Sequence, residues 1–329
     1  MNKTRKIASV LLTFAVLCSC FFMTAIQASA KVITEETGDC YYTYNTKTKV
    51  MRIYGNGKMG KHSFYGTAEE NMKKLIVEEG VTYVCGDAFW SCNELTKVYI
   101  SSTVEKIKGN KISGAEYSGN LKSIDVSKKN KNYSSKGGVL FNKKKTVLYQ
   151  YPNKKSTPKY KVPQSVKTIS VSSFWYSSKL KAVTMGDKVT KVGKYAFAGC
   201  ESLTTVKMSK KLKTISEKAF SACVKLKKII MGKKISKIGA GAFEFCESIS
   251  GYLNLPKSTT NVGRNAFYSC INLKGVVTTN NLKKIGDGSF GYVRVALDEY
   301  FDKNFTIYGK SGSAAQKYAK KYGLKFVII

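Results

Sequence analysis

The side chains with the most chemical potential in this 329-residue chain are its cysteines, a single histidine and a large excess of lysine. Beyond residue 30 the cysteines are Cys40, Cys85, Cys92, Cys200, Cys223, Cys246 and Cys270. Exported proteins often pair such residues, yet five of the seven stand three residues after a phenylalanine. One thiol at the same slot of each repeat is what a small apolar residue supplies to a core. With no paired C-x-x-C and no histidine nearby, a zinc or redox site is not expected. Cys40 and Cys85 lie off this ladder and are candidates for a disulfide fastening the N-terminal segment, although spacing does not fix connectivity. His62 sits in Lys61-His62-Ser63 and reads as a surface residue; any Ser-His-Asp or Cys-His site would have to use it. There is no phosphate loop, nucleophile elbow or metal-ligand motif, and the 21 acidic residues form no constellation for paired-carboxylate chemistry. No enzymatic activity and no cofactor are expected.

The basic residues carry a different message. The formal charge is +35, and of 56 basic residues four are arginine (Arg5, Arg52, Arg264, Arg294), leaving 52 lysines. Such a balance suggests nucleic acid, but the lysines are spread over the whole chain and arginine, suited to bidentate phosphate recognition, is nearly absent. No nucleic-acid partner is expected. Two readings remain: a solvated surface that keeps a long β structure soluble, and attraction to an anionic polymer or acidic partner.

What positions these residues is a repeat. Phe174, Phe197, Phe220, Phe243, Phe267 and Phe290 are spaced 23, 23, 23, 24 and 23 residues apart. Around Phe197 the unit reads Val189, Val192-Gly193, Ala196-Phe197, Cys200, Leu203, Val206, Met208, and Ala88-Phe89, Cys92, Leu95, Val98, Ile100 give the same pattern earlier. The three-residue steps predict a helical or 3₁₀ turn, and the closing two-residue alternation predicts a short strand with one buried face. A fixed period in the twenties marks a solenoid whose units must stack to bury their apolar faces. Gly193, Gly239, Gly263 and Gly286 suggest a tight turn or positive φ.

The pattern V/L/I-x-x-I/V-G-x-x-A-F-x-x-C-x-x-L-x-x-V-x-I/M resembles the BspA-like class of bacterial leucine-rich repeats, over roughly residues 75–126 and 166–293. The resemblance implies a leucine-rich-repeat solenoid, mostly β with one short turn per repeat and a curved parallel sheet. It also implies a secreted or surface-exposed protein, of a kind credited with adhesion to host proteins or other cells.

In chain order, residues 1–30 read as a signal peptide: Lys3, Arg5 and Lys6, an apolar run from Ile7 to Ile26, then Ala28-Ser29-Ala30. Leu17-Cys18-Ser19-Cys20 loosely resembles a lipoprotein cleavage box, in which Cys18 fits poorly. No sorting signal or second long apolar segment is read at the C-terminus, so no transmembrane anchor is expected after cleavage. Residues 31–74 are expected to form an N-terminal β cap with a turn at Gly55-Asn56-Gly57, covering the open strand edge. Repeats follow at 75–126, the second degenerate between Gly109 and Asn120. A β-hairpin insertion turning at Lys143–Lys145 is expected at 127–165, repeats again at 166–293, and a strand–helix–strand cap at 294–329 with Gly323 ending the helix.

Stacking places equivalent positions in stripes. The outward strand residues form a candidate partner-binding row of Tyr99, Asp125, Thr184, Lys207, Ile230, Asn254 and Val277, on the face where solenoids usually bind. Residues inside each V-x-x-I corner form a candidate basic stripe of Lys106, Lys167, Lys191, Lys213, Lys237, Lys283 and Lys284. The expected function is a monomeric, secreted or cell-surface, adhesin-like protein recognising an extracellular protein or glycan. The alternative is a passive wall-associated structural protein held by lysine attraction to an anionic wall polymer. A third reading places an exported enzyme's site in the insertion or the N-terminal cap, without a supporting motif.

Overall fold

The computed structural model describes residues 30–112 and 119–329. The expected signal peptide and the centre of the degenerate unit lie outside the described residues. The described chain is a mostly β, parallel solenoid with one α-helix, α1 (Ala314–Tyr322).

Each regular coil contributes to three ladders. In the main ladder, Ala182–Thr184, Thr205–Lys207 and Lys228–Ile230 pair in parallel with Val183, Val206 and Ile229 in register. In the corner ladder, two-residue strands such as Lys237–Ile238 and Asn261–Val262 pair in the same sense. The β-branched residues face inward and the lysines outward, as period-two alternation requires.

The third ladder runs through the turns. These are closed by i→i−3 hydrogen bonds, for example Cys200 N–H to Phe197 O (3.3 Å) and Leu203 N–H to Cys200 O (2.9 Å), the 3₁₀ pattern. They do not run on into helix because the residues two before and two after the phenylalanines from Phe174 to Phe267 are left-handed, as at Tyr195 and Gly199, Lys218 and Ala222, and Asn265 and Ser269. The alternation turns every second N–H group toward the next coil, so that Tyr195, Phe197 and Gly199 donate to Glu217, Ala219 and Ser221 at 3.2, 2.8 and 2.9 Å. Cysteine adds a side-chain bond in the opposite direction. Cys200, Cys223, Cys246 and Cys270 each donate Sγ–H to a phenylalanine carbonyl of the preceding coil, at 3.1–3.2 Å. That slot thus uses cysteine as a small apolar group that also carries a weak donor.

Inside the coils the phenylalanines stack. Centroid separations from Phe174 to Phe290 run from 4.5 to 5.4 Å with interplanar angles of 19° or less. Each ring is buried, contributing about 1.5–3 kcal/mol by burial. The glycines after the corner strands have a reason other than the one expected. Gly193, Gly239, Gly263 and Gly286 are not in the positive-φ set; a Cβ on any of them would lie 2.3–2.6 Å from a backbone nitrogen of the preceding coil. Close approach, not φ, excludes a side chain.

Two expectations about the irregular segments are corrected. Gly55-Asn56-Gly57 is not a turn. It lies within the strand Val50–Met59, whose first half pairs with Lys74–Val77 and whose second half pairs with Val81–Val84. The hairpin turn lies earlier, between Val32–Asn45 and Val50–Met59. Residues 127–165 do not simply interrupt the array. Tyr133–Lys136, Val139–Asn142 and Val147–Gln150 form an antiparallel meander, but Val147–Gln150 also starts a corner ladder with Thr168–Ile169, and Lys159–Lys161 starts a main ladder with Ala182–Thr184. Tyr151 stacks on Phe174 at 4.8 Å. The second half of the insertion is therefore a coil in which Tyr151 stands in for phenylalanine.

The same segment divides the interior. Val139, Phe141 and Leu148 belong to the C-terminal core, whereas Leu140 and Tyr133 belong to the N-terminal one. The strand Val139–Asn142 is a wall with one core on each face.

Candidate partner-binding surface

The outward residues of the main ladder do not form one continuous row. Tyr99 and Asp125 are neighbours in the N-terminal sheet, where Lys97 pairs with Asp125 at 3.4 Å. Thr184, Lys207 and Ile230 are neighbours in a second sheet. Asn254 and Val277 are neighbours in a third, whose register continues to Tyr308 and Val327. The side chains point out of the ladder as the alternation predicts, but the row is divided between three sheets.

The division between the second and third sheets has a visible cause and a consequence. The interval from Phe243 to Phe267 is the one 24-residue step, and Gly251, at the start of the next main strand, takes φ 73°. Lys228–Ile230 and Gly251–Asn254 fall in separate sheets. Where the ladder opens there is a cleft of 500 Å³ lined by Ile229, Met231, Leu253, Leu255 and Pro256, with Lys233 and Lys257 beside them. Ile229, Met231 and Leu253 are only half-buried, unlike Val206 and Met208 one coil earlier. Ile230, 40% exposed, and Asn254 flank the opening.

An aromatic pair in the third sheet went unnoticed in the sequence. Tyr252 and Tyr308 meet with centroids 5.6 Å apart at 79°, and the neighbouring Tyr252 hydroxyl raises the Tyr308 pKa. They reach one another because Gly275 lies on the intervening strand, where a Cβ would come within 3.0 Å of the Tyr252 ring. Tyr252 is two residues before Asn254 and so on the same outward face; that alternation was the available signal.

The basic stripe separates into two staggered rows. Lys106, Lys191, Lys237 and Lys284 occupy the first position of corner strands, with Thr168 beside Lys191, and with Thr214 and Asn261 on either side of Lys237. Lys167, Lys213 and Lys283 lie one residue earlier, outside those strands. All seven are exposed. Six ion pairs occur among the described residues, and only the Lys218–Glu244 pair has a largely buried carboxylate, so most lysines face solvent without a carboxylate partner.

The remaining chemical groups are structural. Cys40 and Cys85 are buried free thiols rather than a disulfide; Cys40 faces Gly55 in the cap ladder and packs in the N-terminal core. Burial pushes the Cys92 and Cys270 thiols up to about 12 and raises Cys200 and Cys223 well above the usual range. His62 is half-buried and packs on Phe64 at 4.6 Å. Among the described residues, no group of three His, Cys, Asp or Glu side chains is placed to hold a metal ion, and no helix is long and apolar enough to cross a membrane.

Comparison with known proteins agrees with this architecture. The family model described as a BspA type leucine rich repeat region matches in six copies over residues 19–147, 144–270 and 250–311. Curated proteins gave no match. Among solved structures, the chain is similar to the pneumococcal vaccine antigen PcpA at 16% identity and a TM-score of 0.61, covering 91% of this chain and 99% of that one. A leucine-rich repeat protein from Bacteroides ovatus matches at 15% identity and a TM-score of 0.47, covering 91% and 98%. A leucine rich cell surface protein from Faecalibacterium prausnitzii matches at 17% and 0.43, covering 88% and 98%. The chain belongs to the BspA type leucine-rich repeat family.

Proposed function

We propose that this chain is an exported, cell-surface binding protein of adhesin type that recognises an extracellular protein through the outward face of its main ladder. The observation that carries the proposal is the opening between Ile230 and Asn254, where apolar core side chains line a 500 Å³ cleft. Deep apolar pockets ringed by polar groups are where interface anchors seat. Lys233 and Lys257 beside the cleft favour an apolar anchor flanked by acidic residues. Family membership and the likeness to a pneumococcal vaccine antigen support the surface location.

Purified residues 31–329 offered to matrix proteins, mucin glycans and anionic wall polymers at low and high salt test the proposal. A saturable, salt-resistant protein partner supports it, because apolar anchoring is not screened. Retention on polyanions alone, lost at high salt, removes it. That second outcome belongs to a wall-associated protein held by charge, a reading favoured by the many lysines without carboxylate partners.

A further inference from the structure

The lysines converge at one place. Between the corner ladder and α1 lies a groove of 610 Å³. Lys237 and Lys284 come from the ladder and Lys283 from the residue before its strand, and Lys317 and Lys321, one helical turn apart, come from α1. Asp287 is the one acid lining it, and it is engaged by Lys321 at 2.8 Å and by the Tyr322 hydroxyl. The helix wall is fixed in place. Tyr318 is buried against the last coil, accepting the Phe290 N–H and donating to its carbonyl, each at 3.0 Å.

From this geometry we infer that the groove is a binding site for a linear polyanion, separate from the apolar cleft. Like charges lining a concave surface repel one another and focus the field outward, raising the local concentration of counter-charge. Lys237 and Lys284 lie in register with Asn261 between them, which sets their backbone positions about 9.6 Å apart at the usual strand spacing. None of the groove's cations is an arginine, so the site offers point charges on flexible stems rather than rigid forks. Such a lining accepts a chain of single charges, of the phosphodiester or uronate kind, more readily than one planar ligand. The inference gives a location to the charge-held reading above. It does not depend on the apolar cleft, and the cleft's failure to bind protein would leave it standing.

The test is calorimetric titration of residues 31–329 with poly(glycerol phosphate), polygalacturonate and neutral dextran over a salt series. K284E combined with K317E reverses two groove charges. K179E combined with K225E makes the same net change at two exposed lysines outside the groove. The expected result is saturable binding to at least one polyanion and none to dextran, the tighter polyanion naming the source. The groove pair should lose about ten-fold or more in affinity and flatten the salt slope by about two, with the control pair within about two-fold of the parent. K284M combined with K317M keeps the stems and should lose affinity likewise, which guards against a folding defect in the charge-reversed pair. Equal losses in groove and control pairs, or no polyanion binding by the parent protein at low salt, would overturn the inference.

Discussion

The side-chain amide of Gln150 grips the backbone of Ile112 at both ends, Oε1 accepting the Ile112 N–H at 2.8 Å and Nε2 donating to the Ile112 carbonyl at 2.7 Å. In the regular array the phenylalanine N–H donates to the carbonyl of the residue just before the next coil's phenylalanine, as Phe174 does to Ala196. Gln150 immediately precedes Tyr151, which occupies the phenylalanine slot, so its amide oxygen replaces that backbone carbonyl at the seam between the two cores. Gln150→Ala would leave two buried backbone groups without these partners and should cost about 1–3 kcal/mol. Urea unfolding checks this, and a change below about 0.5 kcal/mol would show that the seam does not depend on the amide.

Equivalent positions in successive coils should share a preference for glycine over alanine. Gly199 has φ 69° and a Cβ there would meet the Tyr176 ring at 2.6 Å, whereas Ala222 already holds φ 55°. Gly199→Ala should destabilise by roughly 1–3 kcal/mol. Ala222→Gly should be neutral or stabilising by up to about 1 kcal/mol, since relief of left-handed strain outweighs the added chain entropy. Thermal melts of both variants decide the matter, and a neutral Gly199→Ala would contradict the packing account.

The repeat period made most of this architecture legible, because stacking forces identical residues to identical depths. The hidden coil was also written in that period: Tyr151 lies 23 residues before Phe174, and Tyr160 lies 23 before Val183. Tyrosine in place of phenylalanine, with Gln150 and Lys154 where alanine and cysteine usually stand, disguised it. The 24-residue step was visible too, but an extra residue either bulges within a turn or opens the ladder, and only the strand pairing tells which. The lysine groove had no local signal, since Lys284 and Lys317 come together only through the seating of Tyr318 on Phe290.

Thiol chemistry should be silent in the folded protein. All seven cysteines of the described chain are free and buried, out of reach of a bulky reagent, so native residues 31–329 should take up no aromatic disulfide reagent at pH 8. In denaturant without reductant, seven thiols per chain should react; five would show that Cys40 and Cys85 are joined after all.

Acid should loosen the C-terminal end before the array. The hairpin of Tyr292–Val295 and Asp298–Phe301 is clasped by Glu299, which accepts the Tyr268 and Tyr292 hydroxyls at 2.6 and 2.9 Å. These bonds hold its pKa below the ordinary 4.5, and Lys321 and Tyr322 do the same for Asp287. A depressed carboxylate stabilises the fold above its unfolded pKa, and that contribution disappears as pH falls through the folded value. Tyrosine ring signals in NMR spectra should therefore report release of the hairpin as pH falls below the ordinary carboxylate range, with the array still ordered. In Glu299→Gln that acid dependence should be absent, and its persistence would assign it to another group.

The most direct test of the binding account compares Ile230→Asp with Ile271→Asp against a protein partner found at high salt. Both residues are exposed, at 40% and 46%, but only Ile230 flanks the opening between the second and third sheets. Equal melting temperatures would show that both variants keep the fold. The account predicts that Ile230→Asp weakens binding about ten-fold or more while Ile271→Asp stays within about two-fold. Unchanged affinity in Ile230→Asp, or equal losses in both, would contradict recognition through the main-ladder face.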